Sequence, residues 1–165
     1  MIENAIRLVV TGGTFDKTYD ELKGNFTFRD SYLPEIIKRV RTTIEVNLEI
    51  NQLIDSLDMV GENRQKIGHT CQQAEEELIL ITHGTDTMPE TAQYLASLNL
   101  SKTIVLTGAM IPYSVSGSDA LFNLGSAFTA LQLLNNGVYI AMNGRIFHWD
   151  NVRKNKEKGL FEILN

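Results

Sequence analysis

The sequence predicts an α/β fold, an open parallel sheet with helices on both faces. Short aliphatic runs such as Leu78-Ile79-Leu80-Ile81 recur along the chain without alternation, as strands do when both of their faces are covered. Between them lie stretches with apolar residues at helical spacing, and strands separated by helices in this rhythm imply right-handed crossovers. At 165 residues the chain is one domain by the usual prior, so a single unit over residues 1–165 is expected.

The first strand is Leu8-Val9-Val10, which delivers Thr11-Gly12-Gly13-Thr14 into a turn. The glycine pair lets a backbone or a ligand approach Thr14 closely. Neither G-x-G-x-x-G nor G-x-x-x-x-G-K-[ST] occurs, so a nucleotide loop is set aside. Residues 15–30 are mostly polar with four aromatics and read as a hairpin or a flap. Residues 34–42 form a short amphipathic helix. Val46-Asn47-Leu48-Glu49-Ile50 then alternates as a half-buried strand, before Leu53-Ile54, and runs out at Asp55-Ser56.

Residues 63–77 read as a polar, exposed helix leading to the central strand at 78–81. Gly84 releases that strand into a turn, Thr87 with Glu90 reads as a capping box, and Pro89 sits in the first turn of a helix reaching about Leu98. Thr103-Ile104-Val105-Leu106-Thr107 is the next strand and breaks at Gly108-Ala109. Leu121, Leu124, Phe128 and Leu131 recur at helical spacing, which predicts the longest helix over 119–135, closed by Asn136-Gly137. Val138-Tyr139-Ile140-Ala141-Met142 is the last long strand, ending at Asn143-Gly144-Arg145, and a shorter segment leads to Asp150 and Lys154.

Thr14, Ser56, Thr85 with Asp86, Ala109 and the Asn143 turn all follow predicted strands. In a parallel sheet such positions share one edge, where α/β proteins bind ligands. These residue types suit covalent hydrolysis of an amide. A threonine hydroxyl needs a partner that takes its proton and N–H donors that stabilise an oxyanion. A lysine serves as that partner only if its pKa falls from about 10.4 toward 7 to 8, roughly 3 to 4 kcal/mol of differential stabilisation. A neighbouring aspartate works against this, unless a substrate ammonium engages it.

Composition narrows the partners. Twenty acidic against fifteen basic residues give a net charge of -5, which argues against a broad nucleic-acid surface. Lys154, Lys156 and Lys158 form a dense basic run. No stretch approaches the length of a membrane helix, so no membrane partner is expected. The segment Met1–Arg7 carries Glu3 where a leader would carry positive charge, so no export signal is expected. Cys71, the single cysteine, makes no internal disulfide and reads as a packed small residue, compatible with a cytoplasmic location.

The words Thr11-Gly12-Gly13-Thr14-Phe15, Ile81-Thr82-His83-Gly84-Thr85-Asp86-Thr87-Met88, Leu106-Thr107-Gly108-Ala109-Met110, Ser118-Asp119 with Asn123-Leu124, and Val138-Tyr139-Ile140-Ala141-Met142-Asn143-Gly144 occur in this order over nearly the whole chain. Together they resemble the amino-terminal, Rossmann-like domain of the bacterial-type L-asparaginase and glutaminase-asparaginase family. The resemblance implies a Thr14 nucleophile supported by Thr85, Asp86 and Lys154. The last is placed by Asp150-Asn151-Val152-Arg153-Lys154-Asn155, which looks like the family's lysine-bearing stretch. It also implies that Ser56 holds the α-carboxylate of a small amide substrate, Asp86 its α-amino group, and the Ala109 carbonyl the leaving nitrogen. Tyr19 is the expected aromatic residue beside the nucleophile. No metal and no cofactor are expected.

The sequence departs from the family's pattern in places. Leu57 stands where a glutamine is often found, and Ile111 where an arginine is usual, so two polar contacts are lost. The family's carboxy-terminal domain is expected to be absent, and the apolar surface this leaves suggests a homo-oligomer, a dimer or tetramer. Two competing readings are a non-catalytic amino-acid-binding or regulatory protein that keeps the pocket, and an amidase component of a tRNA-dependent amidotransferase. Acidic charge and missing extra domains count against the second of these.

Overall fold

A computed structural model describes residues 4–164. Met1 to Glu3, on which the leader expectation partly rests, lie outside the described residues, as does Asn165. Strand β1 (Ile6–Gly12) is followed by a 3-10 turn (Thr14–Asp16) and a hairpin of β2 (Thr18–Asp20) and β3 (Asn25–Thr27). Helix α1 (Leu33–Arg39), strand β4 (Val46–Ile54), helix α2 (Gly61–Gln73), strand β5 (Leu78–Thr82), helix α3 (Met88–Ser97) and strand β6 (Thr103–Thr107) come next. Helix α4 (Ala120–Leu131), β7 (Gly137–Met142), β8 (Arg145–His148), β9 (Arg153–Asn155) and β10 (Leu160–Glu162) complete the chain.

The main sheet runs β4-β1-β5-β6-β7-β8. Its first five strands are parallel and β8 pairs antiparallel on β7. The expected α/β sheet is therefore present, with one reversed edge strand. Because side chains alternate across a strand, each central strand feeds two cores. Val9, Ile79, Ile81, Ile104, Leu106 and Ile140 face Ile67, Cys71, Met88 and Leu95 from α2 and α3. Leu8, Val10, Leu80, Val105 and Ala141 face Leu33, Ile36, Ala120, Leu124 and Leu131 from α1 and α4. Each fully buried Leu, Ile or Val contributes about 1.5 to 3 kcal/mol of transfer free energy. Cys71 is buried, and burial pushes its thiol up to about 12.

Several local expectations are corrected. The longest helix is α2 with 13 residues, while α4 has 12. Gly137 does not close α4; it opens β7. Thr87 does not cap α3 with its side chain, because its hydroxyl donates to the Ser56 carbonyl at 2.8 Å instead. The turn at Asn143-Gly144, read as a strand end, is a hairpin turn. Both residues have positive φ, 55° and 71°, the type I′ geometry that suits strand twist. Of the two readings open for residues 15–30, a hairpin or a flap, the structure shows a hairpin, β2 against β3, closed by Asp20, whose carboxylate accepts from the N–H groups of Leu22 and Lys23.

Candidate active site

The five parallel strands end at Gly12, Ile54, Thr82, Thr107 and Met142, so the turns carrying Thr14, Ser56, Thr85 with Asp86, Ala109 and Asn143 lie on one edge. Three of these turns touch backbone to backbone. Gly13 has φ 73°, and a side chain there would overlap the Gly84 backbone. A side chain on Gly84 would in turn come within 2.6 Å of Ser56 Oγ. Glycine is thus required at both positions for the loops before Thr14 and Thr85 to meet. The Gly13 N–H donates to Ile54 O at 2.9 Å, and the Thr87 N–H donates to Ser56 Oγ at 3.2 Å.

Lys154 reaches this edge by a longer route. After the Asn143-Gly144 turn the chain runs back along β8 and returns as β9, in which Lys154 pairs with Phe161 of β10. The Phe161 N–H donates to Asn143 Oδ1 at 2.8 Å, which ties the small sheet to the end of β7. Phe161 itself is buried in the α2/α3 core. From there Lys154 Nζ donates to Thr85 Oγ1 at 2.8 Å and to Asp86 Oδ1 at 2.7 Å. Its side chain is only 10% exposed. Thr85 is buried, Thr14 and Asp86 are half-buried, and Ser56 and Ala109 are buried. Tyr19 stands on β2, half exposed, with its ring edge-on to Phe26 at 5.5 Å.

Behind the Thr14 turn, Phe15 is buried and stacks on Tyr113, with ring centroids 6.4 Å apart. Asp16 is also buried and accepts from Ser31 Oγ and the Tyr32 N–H. Burial raises its pKa, opposed by those two hydrogen bonds.

A second ion pair, which the sequence alone did not single out, lies beside this cluster. Lys17 donates to Asp55 Oδ2 at 2.5 Å. Burial acts to raise the Asp55 pKa, but the Lys17 hydrogen bond, the Leu57 N–H and the charges of Lys17 and Lys154 outweigh it and hold the carboxyl below its usual range. The rim therefore alternates Lys17, Asp55, Lys154 and Asp86, two cations against two anions. The only available signal was the place of Lys17 three residues after Thr14; its partner is 38 positions away. Among the described residues no group of three or more His, Cys, Asp or Glu is placed to hold a metal ion, and no helix is long and apolar enough to cross a membrane.

His83 supports the rim from below. Its Nδ1 is 2.7 Å from the Gly84 carbonyl and its Nε2 is 2.8 Å from Thr91 Oγ1. A carbonyl only accepts, so Nδ1 carries the proton and Nε2 accepts from Thr91, whose oxygen accepts from Arg64 Nε at 3.0 Å. Burial, aided by the Arg64 charge and opposed by the Gly84 hydrogen bond, pushes the imidazole down to about 4.

An unfolded histidine titrates near 6.5. Between those values the unfolded chain binds a proton that the folded chain refuses. The His83 contribution is thus fully present above about pH 6.5 and lost as pH falls through about 4, roughly 3 kcal/mol in all. Urea denaturation across this window should show the loss, and His83→Gln should have the shallower pH slope.

The family model described as "Asparaginase, N-terminal" matches residues 5–161. The chain belongs to the asparaginase family. It is 30% identical over 162 residues to L-asparaginase 2 of Escherichia coli K12, covering 90% of the chain and 46% of that relative. It is also 30% identical over 166 residues to the glutaminase-asparaginase of Acinetobacter glutaminasificans, covering 92% of the chain and 50% of the relative. In fold it matches the thermostable L-asparaginase of Thermococcus kodakarensis with a TM-score of 0.84 at 29% identity, over 98% of the chain and 51% of that structure. A structure titled as a probable cytoplasmic L-asparaginase from Campylobacter jejuni matches with a TM-score of 0.81 at 28% identity, over 97% of the chain and 53% of that structure. The chain thus spans about half the length of these four relatives.

Proposed function

We propose that the chain is an amidohydrolase of the L-asparaginase type, which hydrolyses the side-chain amide of L-asparagine or a related small amide to the acid and ammonia. One observation carries this reading. Lys154, from a separate small sheet, contacts both Thr85 and Asp86, in the loop that packs against the Thr14 turn. Family membership and the names of the relatives support the same reaction class.

In this reading the Thr14 oxygen attacks the amide carbon while its proton passes through Thr85 to neutral Lys154. The C–N bond then breaks, the nitrogen takes that proton and leaves as ammonia, and water hydrolyses the ester left on Thr14. Ser56 binds the α-carboxylate: its oxygen already accepts from Thr87, which leaves its own proton to donate. Asp86 binds the α-ammonium group. That contact matters for the base, because Asp86 at 2.7 Å otherwise stabilises the Lys154 ammonium. Tyr19 belongs to the same proposal as an assisting side chain carried on the hairpin.

A cytoplasmic location and self-association complete the reading. The latter is supported by exposed Val40 and Leu121, which line an apolar groove of about 260 Å³ between α1 and α4. A non-catalytic amino-acid binder would use Ser56 and Asp86 but has no need of a lysine joined to Thr85.

The test is ammonia release from L-asparagine, L-glutamine and D-asparagine, with succinamate as the analogue that lacks the α-amino group. L-Asparagine or a close homologue should be cleaved, and succinamate should require higher pH, because Asp86 then stays on Lys154. Absence of release from all four would overturn the reading. Identical pH–rate profiles for asparagine and succinamate would overturn the part given to Asp86.

A further inference from the structure

The word Ser118-Asp119 with Asn123-Leu124 has no part in the reaction as written above. An aspartate at the residue preceding a helix ordinarily caps it, yet the Asp119 side chain makes no capping bond to α4. Ser118 does that work, since its Oγ accepts from the Ala120 N–H at 3.0 Å and donates to the Ile111 carbonyl at 2.7 Å. The Asp119 carboxylate is turned instead onto the loop after β6. Its two oxygens accept from the Met110 N–H at 3.1 and 3.0 Å, and Oδ1 accepts from the Ile111 N–H at 3.0 Å.

Asn123, 2% exposed, holds the other side of the same turn. Its Nδ2 donates to the Gly108 carbonyl at 2.9 Å and to Asp119 Oδ2 at 2.9 Å. Between these anchors lies the Ala109 carbonyl. It belongs to the same planar, trans peptide group as the Met110 N–H, and in such a group the two point in opposite directions. Fixing that N–H on Asp119 therefore fixes the direction in which the Ala109 oxygen is aimed.

We propose that Asp119 and Asn123 are positioning residues for amide cleavage. By gripping the peptide groups on either side of Ala109, they aim its carbonyl at an N–H of the substrate's leaving nitrogen. This rests on the proposed function, together with the role the family resemblance implies for that carbonyl, to receive the leaving amide nitrogen. As the C–N bond breaks, the nitrogen pyramidalises. An acceptor on one N–H keeps the new lone pair turned toward the proton that completes ammonia. An ester carries no N–H on its leaving oxygen and makes no use of this acceptor, so the pair serves amides selectively.

The experiment compares kcat/KM for L-asparagine with that for the β-methyl ester of L-aspartate, in the parent, Asp119→Asn and Asn123→Leu. An asparagine side chain at 119 keeps the size but turns an N–H toward that of Met110. It should lower amide cleavage at least about tenfold more than ester cleavage, the scale of a small misplacement at a reacting centre. Leu131→Ala, at the far end of α4 in the same core, should lower stability and leave the amide-to-ester ratio unchanged.

If Asp119→Asn does not fold, Asn123→Leu reads the same ratio. An active parent whose ratio is unmoved in the folded variants overturns this inference and leaves the proposed function standing. A parent that releases neither ammonia from the amide nor methanol from the ester overturns the proposed function and this inference together.

Discussion

Thr14→Ala is expected to reduce ammonia release by at least about a thousandfold while the protein stays folded, because the residue proposed to form the covalent bond is gone. The side chain is half-buried at the rim, and the turn is held by backbone groups that the substitution leaves alone. Its carbonyl accepts from the Lys17 N–H at 3.2 Å, and Gly13 is bonded to Ile54. Stability should therefore change by no more than about 0.5 to 1 kcal/mol, as for substitutions outside a packed core. Thr14→Ser, which keeps the hydroxyl, should retain measurable turnover. A variant that hydrolyses as fast as the parent, with matching unfolding curves, would show that the nucleophile lies elsewhere.

The second large effect is expected at Lys154, where Lys154→Met and Lys154→Arg separate two roles. Both should lower kcat by about a hundredfold to ten-thousandfold, the range for loss of a general acid–base group. Their stabilities should differ. Methionine leaves the carboxylate of Asp86, 28% exposed, without its ion-pair partner. Arginine keeps the charge and the bridge, but its guanidinium does not give up a proton in proteins. An arginine variant that melts like the parent and yet fails to turn over would assign Lys154 to proton transfer. Recovery of activity with arginine would make the residue an electrostatic anchor for Thr85 and Asp86. Kinetics and thermal melts on the two purified variants decide between these outcomes.

Much of the fold was legible because parallel strands buried on both faces write themselves as unbroken aliphatic runs. Residues 78–81 and 103–107 are of this kind, and both match observed strands. The shared rim followed from the same fact, since parallel direction alone puts the turns after Gly12, Ile54, Thr82 and Thr107 on one edge.

What the sequence hid is tertiary. The Thr87 hydroxyl looks like a cap until the Ser56 carbonyl is seen beside it. Asp119 stands just before α4, yet its oxygens accept from Met110 and Ile111. The reversal at Asn143-Gly144 did carry a local signal, an Asn-Gly pair between β-branched and aromatic residues. It was obscured because β8 is short and the chain continues at once into another turn. The path that brings Lys154 to Thr85 depends on Phe161 and Asn143 meeting across 18 positions, a contact that periodicity does not reveal.

The central claim, a covalent ester on Thr14 formed at this rim, is tested most directly by quenching the protein in acid during turnover of L-asparagine and mapping its tryptic peptides by mass. The account predicts an aspartyl adduct on the peptide from Leu8 to Lys17, placed by fragmentation on Thr14 and absent from Thr14→Ala. An adduct on Thr85, or sustained ammonia release in Thr14→Ala, would contradict it.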